Sequence, residues 1–364
     1  DARFFFEEDR KQPLEQRVPK LEDIVFQESL GSMKAKVDRI VALSQYLVEQ
    51  LGLPQDQKDV ALRAAYLCKA DLVTHMVYEF PELQGIMGRE YALTSGEPAA
   101  VAQAIYEHIL PRHAGDAVAQ SVPGAVVALA DRFDTLVGCF AAGLIPTGSQ
   151  DPYALRRAAT GIVQTILRHG FSLPLTSVLR MAMQQYGPSW QARAEDVVHQ
   201  VAAFIRQRLR VALIEQGCRH DLVDAVLAVE PDDLTEMARR TTQLNTLLDE
   251  PVFREAVRVF QRAANLAQQA ETTEPDAGLF QTPEEQPLLE IVQEAQPVVK
   301  EAVAVGDWRR AIGALAGLGP AVDKFFDKVL VMDRDLAIRR NRLALLARVA
   351  GLFRTVADFS QLEG

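Results

Sequence analysis

Two sets of residues in this 364-residue chain have types and spacings that could do chemistry. Asp71, Thr74, His75 and Tyr78 recur at spacings of three, four and seven, which puts them on one face of a helix. Asp131, Asp134, Thr135 and Gly138 recur in the same way farther on. Two carboxylates and a histidine meeting between helices could hold a hard metal ion or carry out acid–base catalysis. The plainer alternative pairs Asp71 and Asp131 with Arg, Lys or backbone donors, and makes His75 a hydrogen-bonded helix histidine. The second set is cationic. "IRRNRLALLARV", residues 338–349, puts four arginines into one segment of a chain whose formal net charge is −10. Guanidinium groups match phosphates in shape and charge, but a run of charge is also what a solvated helix face looks like.

The elements that must position these residues read as amphipathic helices. Helices are expected over Val60–Phe80, stopped by Pro81, and over Gly124–Phe140, Glu195–Gln216, Arg254–Gln269, Leu288–Val305, Pro320–Met332 and Asp335–Val356. In "IPTGSQDPYALRRAA" Asp151 is placed as N-cap and Pro152 as first helical residue. Arg156 and Arg157 could face a phosphate there, although an acid already at the N-cap would repel an anion. Residues 268–287, polar, acidic and Pro-bearing, read as a long connection or mobile loop. With no alternating strand pattern of convincing length, the class is all-α, in about three helical modules.

Placed on a 100° wheel, Ile338, Leu345, Leu346, Val349, Leu352, Phe353 and Val356 form one apolar stripe. Arg340, Arg348 and Arg354 fall opposite it and are expected to face solvent, with Arg339 at the edge. Arg342 falls inside the stripe. An unpaired buried guanidinium is prohibitively costly, so Arg342 is expected to pair with Asp323 or Asp327 on the preceding helix.

Bulk properties exclude little but usefully. About half the residues are apolar and no run reaches the roughly 18 residues that span a bilayer, so no membrane association is expected. Cys68, Cys139 and Cys218 are too far apart for a zinc motif and suggest a reducing compartment. The acidic balance argues against non-specific nucleic-acid binding but not against a local basic patch. Only nine of the 39 basic residues are Lys, which reads as a coding bias. There is no Gly-rich phosphate loop and no nucleophile elbow. The opening "DARFFFEEDRK" reads as the middle of something, so a piece of a longer protein is expected.

The order "FFDKVLVM…DLAIRRNRLALLARV…ADFSQL" resembles the DALR-type anticodon-binding domain. "DARFFFEEDRKQPLEQRVPKLEDIVFQESLGS", "CKADLVTHMVYEFPELQGIMGREYA" and "GLIPTGSQDPYALRRAA" are similar to the β subunit of bacterial heterotetrameric glycyl-tRNA synthetase, in the right order, and the likeness covers essentially the whole chain. It implies roughly the C-terminal half of such a subunit: the tail of a preceding domain at 1–30, a degenerate histidine–aspartate (HD) helical domain at 31–145, a helical linker at 146–235 and the anticodon-binding bundle at 236–364. It further implies that a separate α subunit holds ATP, Mg²⁺ and glycine, that two α and two β chains assemble in the cytoplasm, and that this chain binds glycine tRNA without being catalytic alone. Arg340, Arg348, Arg354 and Lys328 are then candidate phosphate contacts, and Arg339 and Asn341 candidate base readers.

"ALADRFDTL" also resembles the last metal-binding helix of the HD phosphohydrolases, with Asp131 in the ligand position. The defining doublet, however, reads Ala70-Asp71, and His75 lies one turn past the family position. Without the imidazole that gives such sites their affinity, Asp71 and Asp131 are expected to be a remnant that holds no metal. An active metal-dependent phosphohydrolase is one rival reading, and a helical scaffold without RNA binding is the other.

Overall fold

The computed structural model describes residues 2–113, 115–229 and 231–363, in two compact units. Unit 1 comprises residues 1–209 with 232–235, and unit 2 comprises 210–231 with 236–364. The fold is all-α, apart from a hairpin of β1 (Val25–Gln27) and β2 (Gly31–Ser32). No helix among the described residues is long and apolar enough to cross a membrane.

In unit 1 the helices are α1 (Ala2–Asp9), α2 (Met33–Gln50), α3 (Gln55–Leu67), α4 (His75–Glu79), α5 (Ile86–Thr94), α6 (Ala99–Glu107), α7 (Val122–Ala141), α8 (Leu155–His169), α9 (Leu175–Gln184) and α10 (Pro188–Gln191). Helix α7 is apolar nearly all round and buried along its length, as a central helix must be. It is surrounded by α2, α3, α6, α8 and α9. Ser121 caps it through a hydrogen bond from the Gly124 amide.

The helix expected over Val60–Phe80 is instead broken. Helix α3 ends at Leu67, a 3₁₀ turn covers Ala70–Val73, and α4 begins at His75. The cause is Thr74: its hydroxyl accepts from the Val77 amide as N-cap and donates to the Asp71 carbonyl, bonds that compete with a continuous helix. The start of α8 differs too. Its amides at Leu155 and Arg156 donate to the Asp151 carboxylate, but Pro152 lies in a turn outside the helix and Ala154, at φ +52°, occupies the N-cap.

The division between the units falls within α11 (Ala194–Glu215) and near the start of α13 (Leu234–Asn245). Unit 2 continues with α12 (His220–Leu227), α14 (Pro251–Ala267), α15 (Glu285–Val305), α16 (Trp308–Ala316), α17 (Gly319–Lys328) and α18 (Leu336–Phe353). Helix α18 packs on α14 and α15, and Phe253, Phe260, Phe353 and Phe359 stack at the centre. Helix α17 stops at Lys328, four residues earlier than its apolar pattern suggests, because Val329 turns extended. The 329–335 turn therefore leaves Leu330, Met332 and then Leu336 exposed.

Candidate functional site

Asp335 caps α18 by accepting from Ala337, and two turns later Arg342 lies buried at 3% exposure. Its guanidinium donates to Glu285 Oε1, Asp333 Oδ2 and the Leu330 carbonyl, each at 2.9 Å. The expected partners, Asp323 and Asp327, are engaged elsewhere: Arg258 and Arg262 share Asp323, and Arg262 reaches Asp327 at 3.3 Å. Helical phase determines that Arg342 needs a counter-charge, but packing chooses Glu285, at the first residue of α15. Burial pushes the Glu285 carboxyl up. Arg342 and the Thr282 and Gln281 amides outweigh that and hold it below its ordinary value.

Asn341 is not free to read a base. It is 6% exposed, accepts from the Asp276 amide at 2.6 Å and donates to the Asp276 carbonyl at 2.9 Å. The 268–287 connection is thus tied onto α18 rather than hanging loose. Its acids reach the arginines: Glu271 lies 3.4 Å from Arg340, and Glu274 2.6 Å from Arg348. Arg348 is half-buried under this strap, not turned to solvent as its wheel position suggests. The strap crosses above Gly351, which floors clefts of about 410 and 450 Å³ on its two sides. Arg354 is exposed and has no ion pair among the described residues.

Besides Arg354, cations with no side-chain hydrogen bond or ion pair among the described residues of this region are Lys324, Lys328, Arg334 and Arg339. They flank the exposed Leu330, Met332 and Leu336 at the α17–α18 turn. Arg334 is the residue the sequence hides. In "DRD" its charge looks cancelled, yet Asp333 is turned to Arg342 and Asp335 caps the helix. A cationic rim around an exposed apolar tip suits phosphates and unstacked bases together.

In unit 1 the structure separates the residues that spacing brings together. Asp71 is buried, and Oδ2 accepts from the Gly85 and Gly88 amides at 2.6 and 3.1 Å, securing the start of α5. A Cβ at position 88 would sit 3.0 Å from that oxygen and 2.8 Å from Ile105, so glycine is required. His75 stacks on Phe5 and meets Asp9 through Nδ1 at 3.0 Å. Asp131 faces two ammonium groups, Lys36 at 2.9 Å and Lys69 at 2.6 Å.

Lys69 also lies 3.0 Å from Nε2 of His108, a residue that spacing does not single out. His108 Nδ1 hydrogen-bonds the Ile105 carbonyl, so Nδ1 carries the proton and Nε2 accepts from Lys69. Burial, then the Lys69 charge, push His108 down to about 3, so it stays neutral. An ammonium group therefore occupies the space between carboxylate and imidazole that a metal ion would need. No three His, Cys, Asp or Glu side chains gather in a ligating group among the described residues.

Burial pushes the Asp71 carboxyl up to about 6, against the opposing Gly85 amide and Lys69 charge. Folding thus favours its protonated form. Its contribution is complete below the ordinary value near 3.9 and is lost as pH rises towards 6. The Asp71→Asn protein should therefore gain on the parent by about 3 kcal/mol, several degrees of melting temperature, between pH 4 and 7.5. Parallel melting curves with no pH-dependent gap would contradict this account.

Comparisons with known proteins bear on both units. A family model described as glycyl-tRNA synthetase beta subunit matches residues 1–228, and one described as DALR anticodon binding domain matches residues 254–359. The chain is 48% identical to the glycine–tRNA ligase beta subunit of Moorella thermoacetica, an alignment covering all of this chain and 53% of that protein. It is 43% identical to the beta subunit of Desulforamulus reducens, with 100% and 52% covered, and 46% to that of Desulforudis audaxviator, with 99% and 52% covered. The chain spans about half the length of the curated relatives it matches.

Proposed function

Because this chain belongs to the family of glycyl-tRNA synthetase β subunits, we propose that it binds glycine tRNA for aminoacylation by a glycine–tRNA ligase. Unit 2 meets the anticodon loop. ATP, Mg²⁺ and glycine are held by a partner α subunit, in an assembly of two α and two β chains in the cytoplasm. This chain contributes affinity and orientation rather than bond-making groups.

The observation that carries the reading is the cluster of partnerless cations, Lys328, Arg334 and Arg339 foremost, around Leu330, Met332 and Leu336. It lies within residues 254–359, the stretch similar to the anticodon-binding model. Anticodon bases are unstacked, so they can pack on the apolar tip while guanidinium and ammonium groups take the phosphates between them. Arg340 and Arg354 extend the same surface. Arg348 joins it only when Glu274 lets go.

The test is a filter-binding titration of the chain with glycine tRNA and a mismatched tRNA at several salt concentrations. Glycine tRNA should bind more tightly, and its affinity should fall with salt as counterions are released. The Lys328→Ala/Arg334→Ala/Arg339→Ala protein should bind at least tenfold more weakly. Its log–log salt slope should flatten by about two, with melting unchanged. Glu271→Gln/Glu274→Gln should tighten binding by up to about tenfold, since two exposed ion pairs no longer compete with phosphate. Equal affinity for both tRNAs, or a triple variant that binds as the parent does, would leave the helical-scaffold reading in its place.

A further inference from the structure

We propose that unit 1 carries a separate nucleotide-phosphate site, in the cleft bounded by Lys69, Arg112, Arg132, Tyr153 and Arg157. The cleft measures about 390 Å³, more than an inorganic ion needs and enough for a nucleoside monophosphate. It does not depend on the anticodon reading of unit 2.

The first reason is an unbalanced buried charge. Arg132, 9% exposed, directs its guanidinium at the backbone carbonyls of Ala128, His108, Ile109, Leu110 and Pro111, and no carboxylate bonds it. It is held tightly in place. A Cβ at Gly161 of α8 would fall 2.6 Å from Arg132 Nε. Carbonyl dipoles satisfy its hydrogen bonds, and the carboxylate that acts on its charge, Asp131, is shared with Lys36 and Lys69, an excess of positive charge that an incoming anion would balance.

The second reason is the supply of free donors at the mouth. Lys69, 6% exposed, lines the cleft and commits two of its three N–H bonds to Asp131 and His108, with no hydrogen bond for the third among the described residues. The Arg157 side chain has no hydrogen bond or ion pair among the described residues, and the Arg112 side chain only a distant one, 3.9 Å to Asp116. Opposing these cations, Asp131 is already countered by Lys36 as well as Lys69, and Glu82 is the other acid on the wall. In a chain of net charge −10 this local excess is a preference for anions, not a reflection of the whole surface.

The third reason is the wall itself. Tyr153, 41% exposed, lines the cleft together with Arg157, and stacking a base on an aromatic ring contributes about 1–3 kcal/mol. Phosphate on the cations and base on Tyr153 define a nucleotide rather than a free oxyanion. The helix N-terminus plays no part, since Asp151 takes the Leu155 and Arg156 amides. Catalysis is not included: His108 has both ring nitrogens engaged, so no free base remains beside the bound phosphate.

The phosphate could come from a free nucleotide or from an RNA strand, and calorimetric titration of the chain separates them. The probes are AMP, adenosine, inorganic phosphate and a single-stranded RNA hexanucleotide. AMP should bind at one site, at least tenfold more tightly than adenosine or inorganic phosphate. Arg157→Ala should weaken AMP by about tenfold without shifting the melting temperature, and Tyr153→Ala should bring AMP close to inorganic phosphate. The Lys328→Ala/Arg334→Ala/Arg339→Ala protein should bind AMP as the parent does, which separates this site from the unit 2 surface. If the hexanucleotide displaces AMP and shares its dependence on Arg157, an RNA phosphate is the source. If it does not displace AMP, a free nucleotide is. AMP bound no better than adenosine, or unaffected by Arg157→Ala, would overturn the proposal.

Discussion

Replacing Arg342 with alanine should cost unit 2 about 3–5 kcal/mol of stability, the usual effect of removing one partner from a buried ion pair. Three acceptors lose their donor at once: Glu285, which is fully buried, Asp333, and the Leu330 carbonyl. Glu285 keeps the Gln281 and Thr282 amides but loses its only counter-charge among the described residues. Its carboxyl lies below the ordinary value in the parent, so the pair's contribution is present above about pH 4.3 and disappears as pH falls through the lower folded value. The deficit of Arg342→Ala should therefore be full at pH 7 and shrink in acid. Adding Glu285→Gln to Arg342→Met should restore much of the loss, because a neutral pair removes the stranded charge. Since Arg342 also fixes the turn carrying Arg334, tRNA affinity should fall in the alanine variant too. Thermal and urea unfolding of the variants checks this, and an unchanged midpoint would refute the role given to Arg342.

Asp134→Ala should have an effect of the same size in unit 1. Its carboxylate is wholly buried and accepts from Lys36 at 2.9 Å, Arg39 at 2.6 and 3.3 Å, and the Tyr186 hydroxyl at 3.0 Å. Alanine leaves an ammonium and a guanidinium in the core with half their counter-charge, a loss of about 3–5 kcal/mol. Asn keeps an acceptor but no charge, so Asp134→Asn should fall between. The pH dependence of this network is flat near neutrality. Burial pushes Lys36 down, but Asp131 and Asp134 outweigh it and hold the ammonium above its ordinary value, so its contribution is lost only as pH rises beyond about 10.4. Burial raises Asp131, yet Lys36 and Lys69 hold it well below its ordinary value, so its contribution is lost only as pH falls below about 3.9. The Asp134→Ala deficit should thus be constant from pH 5 to 9. Melting curves at pH 5, 7 and 9 would expose any error, since a deficit that vanished at one of them would contradict this network.

Both sites are partly legible in the sequence. The 100° phase of α18 places Arg342 among buried residues, and the doublet reads Ala70-Asp71 where the HD pattern needs His-Asp. What the sequence does not carry is partnership. Asp323 and Asp327 are close to Arg342 in sequence, whereas Glu285, its buried partner, lies 57 residues away. Asn341 looked available because no local residue claims it, and Asp276 does so from 65 residues upstream.

By itself, then, the sequence determined the all-α class, the positions of α7, α11, α14, α15 and α18, the family likeness carried by its motifs, and the need for a counter-charge at Arg342. All of these depend on residues within a few turns of each other, where the helix repeat sets the geometry. Only the tertiary structure decided that the chain breaks at Thr74, that Lys69 sits between Asp131 and His108, and that Glu271 and Glu274 cover part of the arginine face while Arg334 stays free. Each of these outcomes, Thr74 and Arg334 apart, is a distance between elements far apart in the chain. Such distances follow from how the helices within each unit pack, which no local periodicity encodes. At Thr74 the deciding factor was a side-chain hydroxyl bonding its own backbone, which overrode a helical pattern that was otherwise complete.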